Sequence, residues 1–155
     1  MEKDEKNHFH SPSTNFRMIY LDTNTFFYAL DRKSPNYKVC RRFLDNSIKR
    51  GIPITTSTET IQEVIHYYRS IGRDKIGLVT CKYLLKIIPE PLIITNEVIE
   101  QFLKFVPRYK KPESRNLLHL AACVVYNILS VVTYDADFKK FSEIKAYLPH
   151  EFKSS

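Results

Sequence analysis

Short apolar runs alternate along this chain with segments of helical periodicity, and that alternation limits the fold more than any other feature. The runs at residues 18–21, 53–55, 92–94 and 130–133 each suit a buried strand and are too short for a helix. Strands that lie parallel need a crossover long enough to travel back along the sheet, and the intervening helical segments supply one. The expected fold class is therefore α/β: a three-layer α/β/α sandwich with a mostly parallel central sheet and helices on both faces.

The helices can be placed by their stripes and punctuation. The segment following residue 22 starts a first helix at Thr23 or Asn24. Residues 37–48 put Val39, Phe43, Leu44 and Ile48 on one face, and Gly51 terminates that segment. Thr56 followed by Glu59 has the spacing of a capping box ahead of the stripe Ile61, Val64, Ile65 and Tyr68. Further helices are expected at residues 75–88, ended by Pro89 and Pro91, and at residues 97–105. The last, residues 114–127, is apolar nearly all round through Leu117, Leu118, Leu120, Ala121, Val124 and Val125, and should be largely buried.

A chain of 155 residues, 43% of them hydrophobic, can build one core. We expect a flexible polar tail over residues 1–17 and one domain over 18–155. His8 and His10 lie in that tail and make an incomplete metal shell. Cys40, Cys81 and Cys123 are odd in number and far apart, which points to neither a disulfide framework nor a zinc knuckle and fits a reducing cytoplasm. No run approaches the roughly 18 apolar residues of a membrane span, so no membrane association is expected. Lys and Arg outnumber Asp and Glu by 24 to 17, a net charge of +7, which favours polyanionic partners without choosing among them.

Ligands of open α/β sheets bind at the carboxyl ends of the strands. Asp22 closes the first apolar run, Asp135 follows the fourth, and Asp137 stands two residues beyond. If those two strands are neighbours, the acids converge and raise each other's pKa unless a cation neutralises them. Carboxylate oxygens suit Mg²⁺ or Mn²⁺ rather than zinc. The same acids can equally serve as helix caps, and residue types alone leave that alternative open.

Taken together, four motifs resemble a known family. They are Ile19-Tyr20-Leu21-Asp22-Thr23-Asn24, then Glu63, then Arg115-Asn116-Leu117-Leu118-His119-Leu120-Ala121, then Thr133-Tyr134-Asp135-Ala136-Asp137-Phe138. In this order they are similar to the PIN domain and, within it, to the VapC-like toxins, over residues 18–152. The resemblance implies a Mg²⁺- or Mn²⁺-dependent endoribonuclease whose acidic positions surround the ion. Asp22, Glu63 and Asp135 would be catalytic, and Asp22, Glu63, Asn116, Asp135 and Asp137 would be the metal positions. Thr23, Asn24 and Thr133 would support them. Periodicity alone reads Glu63 as a solvated residue, since it lies opposite Ile61, Val64 and Ile65.

Asn116 departs from the family's usual aspartate, removing one countercharge, although its carbonyl oxygen can still ligate. His119 shares a narrow polar stripe with Asn116, Cys123 and Asn127 and could reach toward the site, but we expect a buried, internally hydrogen-bonded histidine outside the catalytic set. Arg108, Lys110, Lys111 and Arg115, with Lys104, could draw an RNA backbone toward the acids, or simply be solvated. The resemblance further implies a small antitoxin partner and a homodimer. Asn116 motivates an alternative, a weakened domain that binds RNA or protein without cutting. A phosphoaspartate-forming hydrolase or receiver domain would need a second acid at position 24 or an acidic pair before Asp22. Asn24 and the apolar residues before Asp22 meet neither condition.

Overall fold

The structure is a computed structural model and describes residues 17–152; the expected tail, with His8 and His10, lies outside the described residues except for Arg17. The elements run β1 (Ile19–Leu21), α1 (Thr23–Leu30), α2 (Tyr37–Lys49), β2 (Ile54–Thr55), α3 (Thr58–Ser70), α4 (Asp74–Ile87), α5 (Asn96–Arg108), α6 (Ser114–Val125), β3 (Ser130–Val132), a 3-10 turn (Ala136–Lys140) and β4 (Lys145–Tyr147). The four strands form one sheet in the order β2-β1-β3-β4, and every pairing is parallel. Tyr20 sits between Thr55 and Val131, and Leu21 pairs with Val132.

Alternate residues of a strand face opposite sides, and both sides here are covered. Tyr20 and Val131 pack against α5 and α6 through Val98, Phe105, Leu117 and Leu120. Ile19, Leu21 and Val132 face the other layer, with Phe26, Ala29, Phe43, Leu44 and Leu84. The central strands β1 and β3 are accordingly apolar at their buried positions, and the α/β/α sandwich expected from the alternation is the one observed.

Several local expectations are corrected. In α2 the buried face is Cys40, Phe43, Leu44 and Ser47, while Ile48 is 54% exposed. Ser47 satisfies its hydroxyl by donating to the Phe43 carbonyl at 2.8 Å, which lets a polar residue take the inner position. Gly51 does end the segment, in the left-handed region at φ 64°.

The Thr56–Glu59 capping box does not form. Ser57 is the N-cap of α3 and remains extended, because residues 56 and 57 are still held at the sheet edge. Thr56 donates its hydroxyl to the Leu21 carbonyl at 2.9 Å instead. Residues 92–94 are not a strand: Leu92 makes a single parallel bridge to Ser57, and Ile93 is 64% exposed. Pairing stops there because α3 begins at Thr58 and Thr95 caps α5 immediately afterwards. The fourth strand of the sheet is β4, which the sequence reading missed. Its alternation is brief, with Ile144 and Ala146 facing one core and Tyr147 the other.

All three cysteines are free and buried. No helix among the described residues is long and apolar enough to cross a membrane.

Helices α3 and α4 meet at Gly77, where an added Cβ would stand 2.9 Å from the Cβ of Tyr68. Alanine gains up to about 1 kcal/mol in helix propensity, but overpacking typically costs about 1–3 kcal/mol. Gly77→Ala is therefore expected to lower stability by about 1 kcal/mol, read from the urea midpoint. An unchanged or raised midpoint would mean that α3 and α4 separate freely.

Candidate active site

β1 and β3 are neighbours, so the residues leaving their carboxyl ends meet. Asp22 ends β1 and caps α1: its Oδ1 accepts the Thr23 backbone N–H at 2.8 Å. Its Oδ2 accepts from the Thr133 hydroxyl at 2.6 Å and from the Asn24 amide at 3.2 Å. The Thr133 hydroxyl oxygen in turn accepts the Asp135 backbone N–H at 2.9 Å, so one hydroxyl ties the two acidic turns together. Asn24 adds a second tie, its Oδ1 accepting the Tyr134 N–H at 3.2 Å. Asp135 caps the 3-10 turn through Oδ1, which accepts the Asp137 N–H at 2.9 Å. Both aspartates thus act as caps while converging, so the capping and clustering readings hold together.

Helix α6 supplies the next side chains, and its burial determines where they point. Asn116, 7% exposed, donates its amide to Asp135 Oδ2 at 2.8 Å. One turn on, His119 is 1% exposed and hydrogen-bonds Glu63 of α3 through Nε2. The same Nε2 lies 3.9 Å from Asp22 Oδ1, so the imidazole stands between the two acids. Its Nδ1 meets the Tyr20 hydroxyl, which donates to Ser57 Oγ at 2.8 Å. With that hydroxyl hydrogen directed to Ser57, both ring nitrogens are left to donate, as an imidazolium does.

Glu63 is turned inward, its side chain 12% exposed, with Arg115 at 4.0 Å. Two supporting expectations differ in detail. Thr23 contributes its backbone N–H to Asp22, while its hydroxyl donates to Thr60 at 3.4 Å. Asp137 directs its carboxylate to Lys140 at 2.6 Å.

His119 is buried and internally bonded, as expected, and it also reaches the site, with Glu63 as its hydrogen-bond partner and Asp22 at 3.9 Å. The polar stripe on an otherwise apolar helix was the available signal.

Burial pushes the Asp22 pKa upward, and the charge of His119 with the hydrogen bonds from Thr133 and Thr23 offsets part of that rise. Glu59, one turn before Glu63, is raised by burial and then by the Glu63 charge. For His119 burial alone would lower the pKa. The hydrogen bond to Glu63 and the charges of Asp22, Glu63 and Glu59 outweigh it, and the net direction is up.

Asn116 replaces carboxylate repulsion with a hydrogen bond to a charged acceptor, an interaction typically worth about 1.5–3 kcal/mol. Asn116→Asp is therefore expected to lower stability in chelator by about that amount, and Mg²⁺ or Mn²⁺ is expected to restore more of it than in the native chain. Equal melting temperatures for the two proteins in chelator would contradict this.

In kind, the donors fit a hard divalent cation: three carboxylates and an amide oxygen around a buried acid whose charge is costly. Among the described residues, no three His, Cys, Asp or Glu side chains are close enough together to hold an ion as they stand. The His119 ring stands between Glu63 and Asp22.

Of the basic residues, Arg115 pairs with Glu113 at 2.7 Å at the edge of the site. Arg108 pairs with Glu143 at 2.8 Å. Lys104, Lys110 and Lys111 are exposed.

Comparison with known proteins identifies the family of the fold. The PIN domain family matches residues 19–144. Ribonuclease VapC23 of Mycobacterium tuberculosis H37Rv is 30% identical over 118 residues, 76% of this chain and 93% of that protein. Ribonuclease VapC13 of the same strain is 25% identical over 128 residues, covering 83% and 98%. Among solved structures, VapBC2 from Rickettsia felis, bound to a DNA fragment from its promoter, is similar in fold with a TM-score of 0.68. Identity there is 15%, over 84% of this chain and 98% of that one. M. tuberculosis VapC20, a sarcin-ricin loop cleaving toxin, gives a TM-score of 0.62 at 13% identity, covering 81% and 96%. With a match from β1 to just before β4 and a relative at 30% identity over three quarters of this chain, the chain belongs to the PIN domain family.

Proposed function

We propose that this chain is a divalent-metal-dependent endoribonuclease acting as the toxin of a type II toxin–antitoxin pair. The observation that carries the reading is the junction of β1 and β3, where the Thr133 hydroxyl joins Asp22 to Asp135 and α3 and α6 bring Glu63 and Asn116 alongside. Relatives named as VapC ribonucleases, and a structural neighbour named as a loop-cleaving toxin, support RNA as the substrate. Neighbours that are VapBC complexes support a small antitoxin partner.

In this reading Asp22, Glu63 and Asp135 hold Mg²⁺ or Mn²⁺, with the Asn116 carbonyl oxygen as a neutral donor and Asp137 at the periphery. When bound, the cation supplies Lewis acidity toward the phosphoryl oxygens and activates water. Glu63 orients the attacking water. Thr133, Asn24 and the Thr23 N–H keep the Asp22 carboxylate in one orientation. Arg115, Lys110, Lys111 and, once released from Glu143, Arg108 draw in the phosphate backbone. Two copies pair through the outer stripe of α5, where Ile99, Leu103 and Val106 present apolar side chains to solvent. The work is done in the cytoplasm by a domain spanning residues 18–155.

The test is cleavage of a mixed pool of structured RNAs by the native chain, with Mg²⁺ or Mn²⁺ and with chelator. Metal-dependent scission supports the reading, and intact RNA under all three conditions overturns it.

A further inference from the structure

A groove of about 540 Å³ opens beside the acids, between α1 and α3, and the catalytic reading assigns it no role. Asn24, which holds Asp22 and Tyr134, is also part of its wall. Beyond Asn24 the wall is aromatic. Phe27 meets Tyr67 edge to face at 4.9 Å and Tyr68 at 5.8 Å, and Tyr67 meets Tyr68 at 5.2 Å. Tyr67 keeps 48% of its surface exposed, although it belongs to this cluster.

Helical spacing relates the groove to the site on both helices. On α3, Tyr67 follows Glu63 by four residues; on α1, Phe27 follows Asn24 by three. Residues so spaced lie on one face, a single turn apart. The aromatic surface therefore lies one turn along from Glu63 on α3 and from Asn24, the partner of Asp22, on α1. Lys33 and Arg73 stand on its rim, while the rim acid, Asp31, turns its carboxylate to the Lys33 backbone N–H at 3.0 Å.

We propose that this groove receives an unstacked nucleobase of the RNA, one step along the strand from the scissile phosphate, stacked on Tyr67 with Lys33 and Arg73 facing the flanking phosphates. Aromatic faces accept any base, and cations beside them track the backbone, the combination by which single strands are held. A purely apolar partner would leave those cations unanswered. The assignment rests on RNA being the substrate and adds where the strand lies and that a base must be splayed out of its stack.

The test is binding by the full chain carrying Asp22→Asn, so that cleavage does not enter. The probe is a fluorescein-labelled oligo(rA) of about 12 nucleotides, followed by anisotropy over a salt series. Tyr67→Ala in that background is expected to weaken binding roughly tenfold with the salt slope unchanged, because stacking releases no counterions. Tyr67→Phe should bind like its parent, and Arg73→Ala should instead reduce the salt slope by about 0.7. Undiminished binding by Tyr67→Ala overturns the base platform while leaving RNA as substrate. Absence of binding by the parent at every salt concentration overturns the RNA reading and this assignment together.

Discussion

Replacing Asp22 with asparagine is expected to reduce RNA cleavage at least about 100-fold while the chain stays folded. Loss of a residue that merely supports a metal ligand typically costs about 10- to 100-fold, and Asp22 is assigned as a ligand itself. Asparagine is as good an N-cap as aspartate, so the start of α1 survives. Burial already disfavours the Asp22 charge, and removing it relieves that penalty. The contrast is sharp because Asn24 and Thr133, which hold the carboxylate, are unchanged. Comparison of initial rates in Mn²⁺, with thermal melting of both proteins, checks it. A folded Asp22→Asn protein cutting at the native rate would remove Asp22 from the reaction.

His119→Leu is expected to have the largest effect on stability, a loss of about 3–5 kcal/mol in chelator, the usual consequence of removing one partner from a buried charged pair. Leucine leaves Glu63 and Asp22 facing each other without the intervening cation, and leaves the Tyr20 hydroxyl with Ser57 alone. Urea unfolding at fixed pH measures the loss.

The pH dependence provides a second readout. The folded His119 pKa is raised above its ordinary value of 6.5, so its contribution is complete below about 6.5 and is lost as pH climbs through the folded value. The native chain should therefore weaken with rising pH in that window, and His119→Leu should lose that part of the slope. Asp22 is also raised, from 3.8, so its ionisation in the fold likewise lowers stability with rising pH, beginning at lower pH and persisting in the variant. A native chain whose stability did not fall above pH 6.5 would contradict a charged His119.

The layers were legible because both faces of the sheet are covered, which makes Ile19–Leu21 apolar throughout and Ser130–Val132 apolar in its two buried residues. β4 was not legible: at the sheet edge its three residues Lys145, Ala146 and Tyr147 need only partial burial and carry little pattern. Residues 92–94 misled for the opposite reason, being apolar without a full partner strand, and only Leu92 bridges to Ser57. In the site, Asp22 and Asp135 follow from strand ends alone. Glu63 does not, because its stripe position reads as solvent-facing until α6 is packed against α3, and His119 could be placed in the interior but not beside a particular acid. Those two depend on helices far apart in sequence coming together, which periodicity within one helix does not encode.

The hydrogen bond from Thr133 to Asp22 joins residues 111 positions apart, across the central strand pair. During synthesis, Asp22, Glu63 and Asn116 are all added before Thr133 and Asp135 exist, so a growing chain has acids but lacks the junction that joins them. A ribosome that stalls anywhere in the first 130 residues releases a fragment without β3 or the acid that follows it. The acidic junction is thereby incomplete until most of the message has been read.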